Sequence, residues 1–136
     1  MTKLQIIIGS TRPNRFGEAV GTWFYELAKK REDIEVELID LAEINRPLLD
    51  EPMPPMMGEY KNEHTKNWAK KIGSADGYVF VTPEYNHGVP GALKNAIDYL
   101  YQEWNNKAVG FVSYGADGGV RAVEQLRQIV AMLAMA

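Results

Sequence analysis

The feature that most restricts this chain is an alternation of short apolar runs with longer segments of helical period. Residues 4–8 are mostly apolar and closed by Gly9, as expected of a strand covered on both faces. Residues 18–31 then carry Ala19, Val20, Trp23, Phe24, Leu27 and Ala28 at helical spacing, with Lys29, Lys30 and Arg31 in the last turn. Ile34, Val36 and Leu38 alternate with Glu35 and Glu37, which predicts an edge strand with one wet face. A second helix is predicted over about 62–72, with His64, Trp68 and Ile72 on one side. Residues 77–82 form the most apolar strand and so the central one. A third helix carries Leu93, Ile97 and Leu100. Residues 108–113 make a fourth strand, and the last helix bears Val120, Val123, Leu126, Ile129, Val130 and Leu133.

Strands joined by helices of this length imply right-handed crossovers, hence an α/β, doubly wound parallel sheet with helices on both faces. The 136 residues suit one domain, 1–136. Only four strands are counted, and the chain stops in an apolar helix at Ala134-Met135-Ala136. Such domains usually add another strand and helix, which leaves open a chain incomplete at its C-terminus.

Composition narrows the chemistry. The absence of cysteine excludes disulfides, thiol nucleophiles and thiolate metal sites, and fits a cytoplasmic protein. Met1-Thr2-Lys3-Leu4 runs straight into a strand without the parts of a signal peptide, and no apolar run approaches the ~20 residues that span a bilayer. A net charge of −3 with interspersed signs argues for neither nucleic acid nor membrane as partner. No nucleophile–base pair, carboxylate dyad or metal cluster is legible. Asp50 and Glu51, in the Pro- and Met-rich stretch 40–60, read as solvated, and that stretch reads as a long ordered loop or lid.

Ligands of open parallel sheets bind beyond the carboxyl ends of the strands, where the strand order reverses. Three strand-end loops stand out. In 9–17, Ser10, Thr11, Arg12 and Arg15 combine hydroxyls and guanidiniums with a helix N-terminus, the parts of an anion site. The same loop also reads as a solvated turn with Ser10 or Asn14 as helix cap. It lacks the Gly-Lys-Ser/Thr ending of a Walker A loop and the spacing of the dinucleotide fingerprint. In 82–91, two prolines and two glycines stiffen the backbone, which suits either a flat ligand or a rigid connection; His87 reads as a bystander. In 113–119, three glycines leave amides accessible, or simply make a flexible loop.

The runs Gly9-Ser10-Thr11-Arg12, Thr82-Pro83-Glu84-Tyr85-Asn86 and Gly88-Val89-Pro90-Gly91-Ala92-Leu93-Lys94-Asn95-Ala96-Ile97-Asp98, with 121–127, resemble the NAD(P)H-dependent FMN reductase family of quinone, azo-compound and chromate reductases. The resemblance implies a flavodoxin-like fold of strand order 2-1-3-4-(5), the fifth strand missing from this chain. It implies FMN as cofactor, with Ser10 and Arg12 on its phosphate and the backbone of Arg15, Phe16 and Gly17 assisting. Pro83, Glu84, Tyr85 and Asn86 would line the isoalloxazine, largely through main chain, while Ser113, Tyr114 and Gly115 would approach its pyrimidine edge. Many members carry a serine and an asparagine where this chain has Arg15 and Gly17.

The activity so implied is two-electron transfer from NADPH or NADH through FMN to a flavin, quinone or similar small oxidant, with no catalytic side chain because the flavin carries the chemistry. Family members often form dimers, so a homodimer or homotetramer is expected, and residues 48–60 would cover the substrate side, form a subunit contact, or both. Two rivals stand beside this reading. One is a flavodoxin-type electron carrier that turns over no small substrate. The other is a flavin-free nucleotide-binding domain with Asp40 as its ribose-binding acid.

Overall fold

The computed structural model describes residues 1–136. Its strands are β1 (Thr2–Ile8), β2 (Ile34–Asp40), β3 (Gly77–Thr82) and β4 (Ala108–Ser113). Its helices are α1 (Gly17–Ala28), α2 (Leu41–Ile44), α3 (Glu63–Gly73), α4 (Gly91–Asp98) and α5 (Val120–Met132), with one 3-10 turn at Pro55–Met57. The strands pair in parallel in the order β2-β1-β3-β4. This is the doubly wound order expected from the sequence, with the reversal between β1 and β3.

Period-2 alternation decides which strand residues meet which helices. Ile6, Val79 and Val81 pack with Val20, Phe24, Val36 and Leu38 on the α1 face. Ile7, Ile39, Tyr78 and Phe80 face the other way, against Trp68 and Ile72 of α3, Leu93 and Ile97 of α4, and Leu126 and Val130 of α5. All of β3 is buried, as its apolar composition requires of a central strand. Beyond α5, Ala136 donates to the Lys107 carbonyl at 3.1 Å and accepts from the Val109 amide at 2.8 Å, the slanted pattern of a parallel ladder on the free edge of β4. No helix is long and apolar enough to cross a membrane.

Several boundaries differ from the sequence reading. The first helix ends at Ala28, so Lys29, Lys30 and Arg31 lie in the tightened turn beyond it. The third predicted helix ends at Asp98, although Leu100 is buried as expected. The stretch 40–60 is not purely loop. Asp40 Oδ1 accepts from the Ala42 amide at 3.0 Å and starts α2, and Asn45, at φ 45°, stops it one turn later.

Asp50 and Glu51 are not free in solvent either. Glu51 accepts from the amides of Lys61 and Asn62 and from the Thr65 hydroxyl, so it caps α3 from a distance. Asp50 accepts from Asn62 Nδ2 at 2.9 Å, His64 Nε2 at 3.0 Å and the Tyr99 hydroxyl at 3.2 Å. A proline-rich stretch without its own backbone ladder is held by side chains of the helices beside it.

Trp104 anchors the core behind β3. It is fully buried, donates from Nε1 to the Ile97 carbonyl at 3.2 Å, and meets the rings of Tyr78 and Phe80 edge-on at 4.8 and 5.8 Å. Trp104→Ala is expected to lower unfolding free energy by about 3–5 kcal/mol, read as a lower urea midpoint at unchanged slope.

Candidate functional site

The loops after β1, β3 and β4 meet at the reversal point and interlock. Gly9 donates to the Val81 carbonyl at 2.9 Å, and Tyr114 donates from its amide to the Thr82 carbonyl at 3.2 Å, so each loop leaves the sheet tied to its neighbour. Above these ties the hydroxyls of Ser10 and Tyr85 lie 2.6 Å apart, joining the first loop to the second.

The first loop is built to leave donors facing outward. Ser10 is completely buried, and the Arg12 amide reaches its Oγ at 3.4 Å. Asn14 takes a left-handed conformation (φ 58°), and the Arg15 amide closes a turn on the Arg12 carbonyl at 3.1 Å. The chain enters α1 at Phe16, and no side chain caps the helix. Its first amides therefore keep their hydrogen-bonding capacity and the positive end of the helix dipole. Arg12 is exposed, whereas Arg15 is largely buried and salt-bridged to Asp40 at the end of β2. Thus the guanidinium of Arg12, which donates to the Pro13 carbonyl at 3.4 Å, has no carboxylate partner, whereas that of Arg15 serves Asp40 and, at 3.7 Å, Glu18.

The second loop is a rigid hairpin. Tyr85 and Gly88 exchange both backbone hydrogen bonds, at 2.9 and 3.0 Å, across Asn86 and His87, which both have positive φ. That is a two-residue turn of the type I′ class, in which asparagine tolerates the first position. Pro83 is buried. The Glu84 carboxylate accepts from the amides of Arg121 and Ala122 at 2.8 and 3.0 Å, capping α5 from another loop. Gln125 holds the His87 carbonyl at 3.0 Å. The side chain of Glu84 is thereby committed to α5.

The third loop turns through Gly115, Gly118 and Gly119, all at positive φ, and Ser113 Oγ donates to the Gly118 carbonyl at 2.6 Å. A Cβ at Gly119 would lie 2.7 Å from that of Ser113, so the turn closes only on glycine. Tyr114 folds back over the first loop. Its ring meets Phe16 edge-on at 5.9 Å, and a Cβ on Gly17 would come within 2.4 Å of its hydroxyl. Gly17 is therefore the glycine that lets this phenol lie against the start of α1.

The twelve residues expected at a ligand site are brought together, with differing roles. Ser10, Arg12, Phe16, Tyr85 and Tyr114 converge; Glu84, Ser113 and Arg15 act as ties between elements. Asp40, the ribose-binding acid of one rival reading, is occupied by Arg15 and by the cap of α2. Sequence reasoning missed these ties, and only Asp40 carried a signal, as an acid between a strand and a short apolar turn.

Partial burial, and then the neighbouring Tyr85, push the Tyr114 phenol up to about 12, against the downward pull of Arg12 and Arg15. The fold favours the neutral phenol. Its contribution to stability is therefore whole below the ordinary value of 10.0 and is lost as pH climbs towards 12. Tyr114→Phe should remove one late step from an ultraviolet tyrosine titration and flatten the stability loss in that window.

Known proteins resemble this chain over nearly all of its length. A model of the NADPH-dependent FMN reductase family matches residues 2–136. An NAD(P)H-dependent FMN reductase of Schizosaccharomyces pombe is 44% identical over 135 residues, covering 98% of this chain and 68% of the relative. A quinone reductase of Pseudomonas putida is 34% identical over 137 residues, covering 96% and 70%. The solved flavoenzyme NAD(P)H:(acceptor) oxidoreductase FerB of Paracoccus denitrificans superposes with a TM-score of 0.80 at 22% identity, covering all of this chain and 74% of that one. By its family match, its relatives and its strand order, this chain belongs to the NADPH-dependent FMN reductase family.

Proposed function

We propose that the protein is an FMN-dependent NAD(P)H oxidoreductase that passes two electrons from NADPH or NADH to a flavin, quinone or similar small oxidant. The observation that carries this reading is the tie between the Ser10 and Tyr85 hydroxyls, which sets an anion-binding turn beside a stiff hairpin. The donor set fits FMN: the exposed Arg12 guanidinium and an uncapped helix start suit its phosphate, the buried Ser10 hydroxyl shapes the turn beneath them, and a rigid backbone beside aromatic rings suits its ring system. Bound FMN would supply hydride acceptance and release.

In this reading Arg12 binds the phosphate over the turn that Ser10 shapes, helped by the amides of Arg15, Phe16 and Gly17. Pro83, Glu84, Tyr85 and Asn86 present main chain along the ring system, fixed in advance by the turn and the Glu84 cap, so little ordering accompanies binding. Ser113, Tyr114 and Gly115 border the ring's polar edge. There the glycine-opened amides act as preorganised donors to developing negative charge. A pure electron carrier is not favoured, since the related proteins are named as reductases.

The oxidant side is the Pro- and Met-rich stretch. Leu48 is 81% exposed, Met56 and Met57 more than half, and such apolar surface suits a second copy of the chain or a flat oxidant. We assign the protein to a homodimer or homotetramer of the cytoplasm, the lack of cysteine being in keeping with a reducing compartment.

Purified protein should be yellow or become so with FMN, and anaerobic NADPH should bleach it rapidly. A colourless protein that cannot be reconstituted overturns the reading, and flavin that both NADPH and NADH leave unbleached revives the carrier. Arg12→Ala should raise the Kd for FMN about 10- to 100-fold through loss of a charged hydrogen bond, measured by fluorescence titration.

A further inference from the structure

Arg46 is used by none of the interactions above, and its setting is unusual. It follows Asn45, whose left-handed backbone ends α2. Its guanidinium lies between two aromatic rings, with Cζ 4.7 Å from the centre of Trp68 and 4.8 Å from that of Tyr99. A guanidinium held this way keeps its charge and its planar fork while losing most of its rotamer freedom, so little ordering remains for an anion to impose.

The hydrogen bonds of Arg46 are incomplete. Nη1 approaches His64 Nδ1 at 3.4 Å, and Nε is buried with no partner. His64 Nε2 lies 3.0 Å from Asp50 Oδ2, so the tautomer protonated on Nε2 satisfies both contacts of the ring. Asp50 is in turn occupied by Asn62 and Tyr99, accepts from neutral His64, and makes no ion pair with Arg46. Burial pulls the pKa of Arg46 down, against the upward pull of Tyr99 and of the nearby Asp50 carboxylate.

This side chain forms one wall of a cavity of about 300 Å3 between the first loop, α2 and α4. Thr11, Asn45 and Asn95 supply its other polar side chains, and Leu41 and Ala96 part of its apolar lining. The Asn95 amide is committed to the Pro47 carbonyl and the Leu49 amide, at 2.8 and 2.9 Å, and so serves as scaffold. Arg46 and the Thr11 hydroxyl are the donors for a guest. Thr11 stands between Ser10 and Arg12, so the cavity abuts the turn assigned to FMN phosphate.

We propose that this cavity is a second phosphate subsite, in which Arg46 and Thr11 bind a phosphate of the adenosine half of the nicotinamide dinucleotide. The proposal rests on the reductase reading for the identity of its ligand, and on the Arg46 geometry for its chemistry. A 300 Å3 space is ample for a phosphate group and part of a ribose. An apolar lining raises the strength of a charge-assisted bond made there.

The test uses FMN-loaded protein and three reductants: NADPH, NADH and reduced nicotinamide mononucleotide, which lacks the adenosine half. Arg46→Met, which keeps a chain between the two rings, should raise KM for NADPH about 10- to 100-fold and Thr11→Val about 3-fold. The mononucleotide KM should stay unchanged in Arg46→Met. A parallel rise for NADH assigns the subsite to the pyrophosphate; a rise for NADPH alone assigns it to the 2′-phosphate. Calorimetry with 2′-phospho-ADP-ribose reads the same subsite without turnover, and Arg46→Met should weaken that binding by the same factor.

Equal binding of this probe by wild type and Arg46→Met overturns the proposal, as does a mononucleotide KM that rises with the others in Arg46→Met. Should Arg46→Met fail to fold, Arg46→Lys and Thr11→Val decide, and unchanged NADPH KM in both overturns it. Loss of the reductase reading would appear separately, as wild-type protein that takes up no FMN or is inert to every reductant.

Discussion

The parallel ladder between β1 and β3 is the constraint on which the rest of the molecule depends. These two strands are neighbours in the sheet but are separated in sequence by β2 and its crossovers. From β1 the chain leaves towards β2, and from β3 it leaves towards β4, so the two loops part in opposite directions above the join. Gly9 still bonds to the Val81 carbonyl beyond the end of β1, which carries the ladder up to the floor of the opening. The crevice is thus a consequence of strand order rather than of any special loop.

What the loops add is mutual restraint. Every contact across the opening joins different elements: Ser10 to Tyr85, Glu84 to the start of α5, Tyr114 to the start of α1. Loops without regular structure ordinarily sample many conformations, and a ligand must then supply the free energy of ordering them. Here two left-handed residues, a buried proline and a remote carboxylate cap hold the second loop before anything binds. Stiffness of this kind suits a tightly held planar group whose reacting face must remain accessible to two different substrates in turn.

The strands and the long helices are legible in sequence because burial imposes a period. The four large apolar residues of β3, or Trp68 and Ile72 on α3, appear wherever a face must avoid water. The short elements are not, because a single side chain decides them. One carboxylate, Asp40, starts α2, and one left-handed asparagine ends it, and a four-residue helix has too little length to show a period. The candidate site divides in the same way. Ser10, Arg12 and the Pro83–Asn86 run announce themselves through residue types suited to an anion and a flat ring. The partners of Glu84, Arg15 and Arg46 are far away in sequence, and no local pattern encodes a contact made only when distant elements come together.

The Arg15–Asp40 pair has a consequence for charge near the first loop. Asp40 ends β2 beside the turn that offers Ser10 and Arg12, and an unpaired carboxylate there would repel any phosphate approaching it. Arg15 offsets that repulsion locally and leaves the exposed guanidinium of Arg12 as the cation beside the turn, although the chain as a whole is acidic. The two positions are therefore coupled in charge. Loss of the arginine alone leaves an acid guarding the entrance, and loss of the acid alone releases a second cation with freedom to seize the anion from the wrong side.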